Sequence, residues 1–336
     1  MFNVLGHEAA VKAFESATQG GRLHHAYFLA GPPHVGKLTL ATQIAQAMNC
    51  LSPDDAPCGE CEACTRIANG SHTDVHVLAI DPEATEGPKD SIGIKAVREL
   101  IAAAHLRPYE GRTRVFIFDQ AEQMTNDAAN ALLKVLEEPP PDVLLLLLSA
   151  DADRVLPTIK SRCQLIKLHP LPIDRVTEIL HEQGVASDQA NSIARLSRGC
   201  IGWAMEASHD PALLVGVHQG IERIAGVIED TLEGRFSYAE ELARRFQRDR
   251  SVGREELYLW LRWLRDILLV QQGREDAIVN VSWSDTLRRQ ANAFTPADAV
   301  CWLHLITESI EFLERNANAR LALDVLMLEA PRLRTA

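Results

Sequence analysis

Through the first half of the chain, short apolar-rich runs alternate with longer stretches in which apolar residues recur at helical spacing. The runs at His25–Leu29, Val75–Ile80, Arg114–Phe118, Val143–Leu148 and Gln164–Leu168 are of strand length. Between them, Lys37–Met48, Ile94–His105, Thr125–Glu137 and Arg154–Lys160 are predicted helices. Ile94, Val97, Leu100, Ile101 and Ala104 share one helical face, which is expected to pack on a sheet. Strands alternating with helices in this way predict a parallel α/β sheet.

From about His169 the strand pattern stops. Pro170 and Pro172 mark a hinge, and short helices are expected at Ile173–Gln183 and Gln189–Ser197. Longer helical patterns follow at Pro211–Glu229, Tyr238–Gln247, Arg254–Gln272, Pro296–Arg315 and Ala319–Leu328, with no internal repeat or low-complexity tract. The expected organisation is an α/β domain over residues 1–168, a small helical domain over 169–208 and an all-α domain over 209–336. The stripe Leu257, Trp260, Leu261, Trp263, Leu264, Ile267 and Leu268 reads as core of that last domain.

Composition narrows the class. With 46% hydrophobic and 24% charged residues in 336, the chain has the make-up of a globular protein of two or three domains. No apolar run reaches membrane-spanning length, and the first residues lack a signal-peptide pattern, so a cytoplasmic protein is expected. A net charge of −12 argues against gripping nucleic acid by bulk electrostatics.

The chemistry begins at Gly31-Pro32-Pro33-His34-Val35-Gly36-Lys37, after the first strand and at the start of a helix. Gly31 and Gly36 suit a loop whose backbone N–H groups wrap phosphate, and Lys37 suits the lysine that reaches the outer phosphates. The bland alternative is an ordinary strand-to-helix turn. The next residue in such loops is Ser or Thr, whose hydroxyl holds magnesium. Here it is Leu38, and Thr39 lies about 100° further round the helix. The strand Val115–Phe118 ends in Asp119, in the manner of a Walker B carboxylate, but Gln120 follows and cannot serve as a base for water. Nucleotide binding through Gly31, Gly36, Lys37 and Asp119 is therefore expected to be weak or absent, and hydrolysis lost.

Cys50, Cys58, Cys61 and Cys64 form a compact set separated by seven, two and two residues. Four thiolates at this spacing suit one tetrahedral zinc with no open position, which makes the ion structural. Redox-active or incidental cysteines are the other reading.

These features, together with Asn126–Pro140, Leu156–Gln164 and Arg198–Ala204, resemble the AAA+ clamp loaders of bacterial DNA polymerase III. Asn126–Pro140 is similar to the helix and turn after Walker B in that family, and Ser161-Arg162-Cys163 to its Ser-Arg-Cys motif. The resemblance implies that Arg162 is an arginine finger reaching ATP on the next subunit; without it, a surface arginine offsetting a helix-end dipole would explain the residue. Where hydrolysing relatives carry a sensing arginine, this chain has Gly202. Asn316–Leu323 is similar to the closing helix of the family's collar domain.

The resemblance implies an AAA+ module with a zinc insertion, a lid and an oligomerising collar in a hetero-oligomer. It implies tau/gamma motor and delta subunits as partners, and the sliding clamp and primer–template DNA reached through the complex. The losses at Leu38, Gln120 and Gly202 favour a non-hydrolysing subunit within a DNA-directed DNA polymerase (nucleotidyltransferase) holoenzyme. The alternatives are the motor subunit itself and another AAA+ partner, such as a helicase loader.

Overall fold

A computed structural model describes residues 2–19, 23–80, 91–315 and 317–330. The chain divides into two compact units, Met1–Gln183 with Ser197–Met205, and Gly184–Leu196 with Glu206–Ala336.

The first unit runs α1 (Glu8–Gln19), β1 (Ala26–Ala30), α2 (Lys37–Asn49), α3 (Glu62–Ala68), β2 (Val75–Leu78), α4 (Ile94–Ala104), β3 (Arg114–Phe118), α5 (Asn126–Glu137), β4 (Val143–Ser149), α6 (Pro157–Lys160), β5 (Gln164–Lys167) and α7 (Ile173–Glu182). The five strands form one parallel sheet in the order β2-β3-β4-β1-β5. Successive side chains of a strand face opposite ways, so the unbroken apolar runs supply two cores at once. Phe28, Phe116, Phe118, Leu145 and Leu147 pack with Val97 and Leu100 of α4 and Leu132 and Val135 of α5. On the other face Tyr27, Leu29, Val115, Ile117, Leu144 and Leu146 pack with Phe14 of α1, Leu40 and Ile44 of α2 and Ile67 of α3. The result is an α/β architecture, with helices on both faces of a doubly wound sheet.

Placing β1 between β4 and β5 brings the ends of β1, β3 and β4 to one edge, where the loops carrying Gly31, Asp119 and Asp151 emerge. Ligands of open parallel sheets bind at this carboxyl edge.

The second unit is all helical: α8 (Ser187–Ser197) leads into it, and α9 (Ile201–His209) precedes α10 (Pro211–Glu229), α11 (Leu232–Arg248), α12 (Arg250–Gln271), α13 (Ser284–Ala293), α14 (Pro296–Glu314) and α15 (Ala319–Leu328). Leu257, Trp260, Trp263, Leu264 and Ile267 of α12 are fully buried in its core, as their spacing predicts, whereas Leu261 and Leu268 of the same stripe are only partly buried. The indoles find partners: Trp260 Nε1 donates to Tyr238 Oη at 2.7 Å, and Trp263 Nε1 to Gln290 Oε1 at 2.8 Å. Among the described residues no helix is long and apolar enough to cross a membrane.

The sequence pattern missed α1, α3, α9 and α13 and shortened α11 by six residues at its start, since Leu232 rather than Tyr238 begins it. Among them α3 has only seven residues, and Ser284–Ala293 carries few apolar residues. Asn316, which begins the segment likened to a collar helix, lies outside the described residues; Asn318 caps α15 by accepting from Leu321 N at 3.2 Å.

Candidate functional site

Three side-chain groups converge on chemistry, and the loop after β1 is the first. Gly31 has to be glycine, because a Cβ there would lie 2.4 Å from the carbonyl oxygen of Leu168 at the end of β5. Gly36 takes φ +104 to turn the chain into α2, in the left-handed region that disfavours a side chain. Outward-facing carbonyls anchor the loop. His7 Nε2 donates to Val35 O at 2.7 Å, and the backbone N–H of Gly202 donates to His34 O at 2.8 Å. Lys37 folds back, its Nζ donating to Gly31 O and Pro32 O at 2.7 Å each. Burial lowers the lysine pKa, and the carboxylates of Glu122 and Asp119 work against that. Leu38 stands 42% exposed where a magnesium-holding hydroxyl would be needed.

Asp119 closes β3 with its backbone N–H on Leu78 O of β2. Burial raises its carboxyl pKa, and Lys37 draws it down. Lys37 and Asp119 therefore sit in one electrostatic neighbourhood, as their motifs predict. Gln120 turns the chain at φ +59 into a short 3-10 turn, Ala121–Gln123. Glu122, on that turn, accepts from Ala150 N at 3.1 Å, so one of its oxygens ties the end of β3 to the end of β4.

The second group is the cysteine set. The Sγ atoms of Cys50, Cys58, Cys61 and Cys64 all lie within 4.8 Å of one another. Cys50–Cys61 and Cys58–Cys64 are separated by 4.0 Å. Four sulfurs at about 2.3 Å from one tetrahedral ion stand about 3.8 Å apart, so the set is of the size that a metal such as zinc requires. Backbone N–H groups already point at the sulfurs: Cys61 N donates to Cys58 Sγ at 3.3 Å and Cys64 N to Cys61 Sγ at 3.4 Å. Such donation, from Cys61 and Glu60, brings the Cys58 thiol down to about 6, whereas burial pushes Cys64 up to about 12. The knuckle is braced from below. Arg112 caps the end of α2 on the carbonyls of Met48 and Cys50, and Asn49 Oδ1 accepts from the N–H groups of Arg112 and Thr113.

The third group is Arg162, one residue past Ser161 at the end of α6. Its guanidinium is partly exposed and held at three points. Nη1 donates to Thr158 O at 2.9 Å and Ser161 Oγ at 3.3 Å, and Nη2 to Glu137 Oε1 at 2.7 Å. Beside it, burial pushes the Cys163 thiol up to about 12.

Residues 6–172, which contain all three groups, match the family described as DNA polymerase III, delta subunit. The chain is 28% identical over 318 residues to the DNA polymerase III subunit delta' of Bacillus subtilis, covering 95% of this chain and 94% of that one. The chain belongs to the bacterial DNA polymerase III clamp-loader family. The delta' subunit of Pseudomonas aeruginosa is 46% identical over 147 residues, or 43% of each chain. The tau subunit of Escherichia coli is 30% identical over 239 residues, 68% of this chain and 36% of that one. The chain thus spans nearly the whole of one delta' relative and about a third of a tau relative.

Within this clamp-loader chain the structure gathers Gly31, Gly36, Lys37 and Asp119 at one sheet edge and the four cysteines at one point. Two residues gain a packing role that the sequence does not signal. Gly202, noted for lacking an arginine, is packed against the phosphate-type loop: a Cβ there would lie 2.7 Å from His34 O. Glu137, the last residue of the predicted helix Thr125–Glu137, holds Arg162 from 25 residues away, and no local pattern signals a contact of that separation.

Proposed function

We propose that the chain is the delta-prime-type subunit of a bacterial clamp loader, a cytoplasmic non-hydrolysing partner that inserts Arg162 into the ATP site of a neighbouring tau/gamma motor subunit. The observation that carries the reading is the contrast between sites. The chain's own loop has Leu38 in place of a metal-holding hydroxyl, Gln120 in place of a base, and Lys37 turned onto Gly31 O and Pro32 O. Arg162, by contrast, is present and partly exposed. The match along nearly the full length of a delta' relative, against a third of a tau relative, supports the same choice.

A guanidinium beside a transferring phosphoryl group stabilises the charge that develops there without moving a proton. In this reading residues 1–168 form the AAA+ module, 169–208 a lid and 209–336 a collar against sibling subunits. ATP-dependent alignment of the ring, including a delta subunit, then opens the sliding clamp on primer–template DNA. Cys50, Cys58, Cys61 and Cys64 hold a structural zinc that ties the excursion between α2 and β2 together. All four positions are protein sulfurs, so the ion supplies folding energy and no reaction step.

The test is reconstitution. The wild-type chain mixed with tau/gamma and delta subunits should form a stable complex with DNA-stimulated ATPase. Arg162→Ala should assemble equally well. An arginine finger contributes on the order of 10³-fold or more at the site it serves, so only the turnover of the other motor sites should remain. Unchanged turnover in the variant would remove the finger role, and failure to assemble would remove the clamp-loader assignment.

A further inference from the structure

Arg162 is a long side chain at the surface, and a lone surface arginine samples many rotamers. Here it does not stand alone. Thr158 O and Ser161 Oγ both accept from Nη1, and Glu137 Oε1 accepts from Nη2. The first two acceptors lie within four residues on the same turn, whereas Glu137 ends α5 on a different element. Three of the five guanidinium N–H donors are used, and two have no partner among the described residues. The two that remain, Nε–H and one N–H of Nη2, can each donate to a phosphate oxygen.

Glu137 is itself firmly placed. Leu132, Val135 and Leu136 bury the last turns of α5 against the sheet. His25 Nε2, at the entry to β1, donates to Leu136 O at 3.0 Å. The N-terminus of α5 is capped by Thr125 Oγ1, which accepts from Ala128 N, just after the turn that follows Asp119. A packed helix thus connects the sheet edge to the carboxylate that aims the arginine.

We infer that Glu137 is a positioning residue for Arg162: it fixes the guanidinium plane so that the remaining N–H donors are presented to a phosphate of the adjoining subunit. The inference rests on the arginine-finger reading and adds a residue to it. An exposed carboxylate–guanidinium pair contributes little to folding stability, so this placement matters through orientation. A reacting or stabilising group held off its mark by about 1 Å can cost on the order of 10²-fold in rate.

The experiment uses the full chain reconstituted with tau/gamma and delta subunits, with ATPase measured against ATP concentration. Glu137→Ala is expected to lower kcat about tenfold at the site Arg162 serves, with KM unchanged, because the interaction is made in the transition state. Glu137→Gln, which keeps an acceptor oxygen, should retain most of the turnover. Adding Glu137→Ala to Arg162→Ala should change nothing further, since one acts through the other. The isolated variant should melt at the wild-type temperature. A shifted melting temperature, additive effects in the double variant, or faster turnover in both Glu137 variants (the result of merely removing a negative charge near ATP) would each overturn the proposal. The two readings fail separately. If Arg162→Ala loses turnover and Glu137→Ala does not, only the positioning role falls; if Arg162→Ala loses none, the finger itself falls.

Discussion

Asp74 shows how much one buried side chain can organise. It is fully buried and accepts from the backbone N–H groups of Tyr109, Glu110 and Gly111, while Arg114 Nη2 donates to it at 2.8 Å. Burial alone raises its carboxyl pKa, but those donors together outweigh it and hold the group well below the usual carboxylate range. A depressed carboxylate stabilises the fold above its unfolded pKa of about 3.9, and that contribution fades as pH falls below it. Asp74→Ala strands Arg114 and three N–H groups, so it should cost about 3 kcal/mol or more in urea denaturation at pH 7. The deficit relative to wild type should shrink as the pH of the titration falls below about 4. An equal deficit at both pH values would show that the loss is one of packing.

At the scale of elements, two links decide how the first unit works. The start of α9 meets the phosphate-type loop through Gly202, and the approach is too close for any side chain. Gly202→Ala should therefore destabilise the unit by about 1–3 kcal/mol, read as a lowered thermal midpoint. The second link is the cysteine knuckle between α2 and α3. Wild-type protein should carry one zinc per chain by metal analysis, and Cys61→Ser should lose it with increased proteolysis around Leu51–Ala68. Zinc-free wild-type protein would end the metal reading.

At the scale of the whole molecule, the purified chain should show no ATP turnover of its own, with or without DNA, because Leu38 and Gln120 stand where a magnesium-holding hydroxyl and a water-activating carboxylate would be needed. Turnover by the isolated chain that Lys37→Ala abolishes would instead support the motor-subunit alternative. The net charge of −12 also predicts no retardation of duplex DNA by the chain alone near physiological salt, since counterion release needs clustered cations. DNA binding is expected only of the assembled complex.

The legible part of this protein was whatever depends on residues close together in the chain. The five strands follow from apolar runs that must be buried on both faces, and the long helices from their spacing. The cysteine set was legible because Cys58, Cys61 and Cys64 share two short turns, and the defects at Leu38 and Gln120 because each motif fixes its neighbours in number. Helix α13 was not legible, since its burial comes from Leu287, Gln290 and Ala291 meeting other helices rather than from a strong apolar stripe. Only the tertiary structure decided that Gly202 seals against His34 O, that Arg112 braces Cys50, and that Glu137 aims Arg162. Each of those contacts joins residues 25 or more positions apart, brought together when strand order placed β1 between β4 and β5. Sequence alone determined which groups this chain keeps and which it lacks. Packing decided where the arginine it keeps is pointed, because direction is a property of the neighbours that hold a side chain.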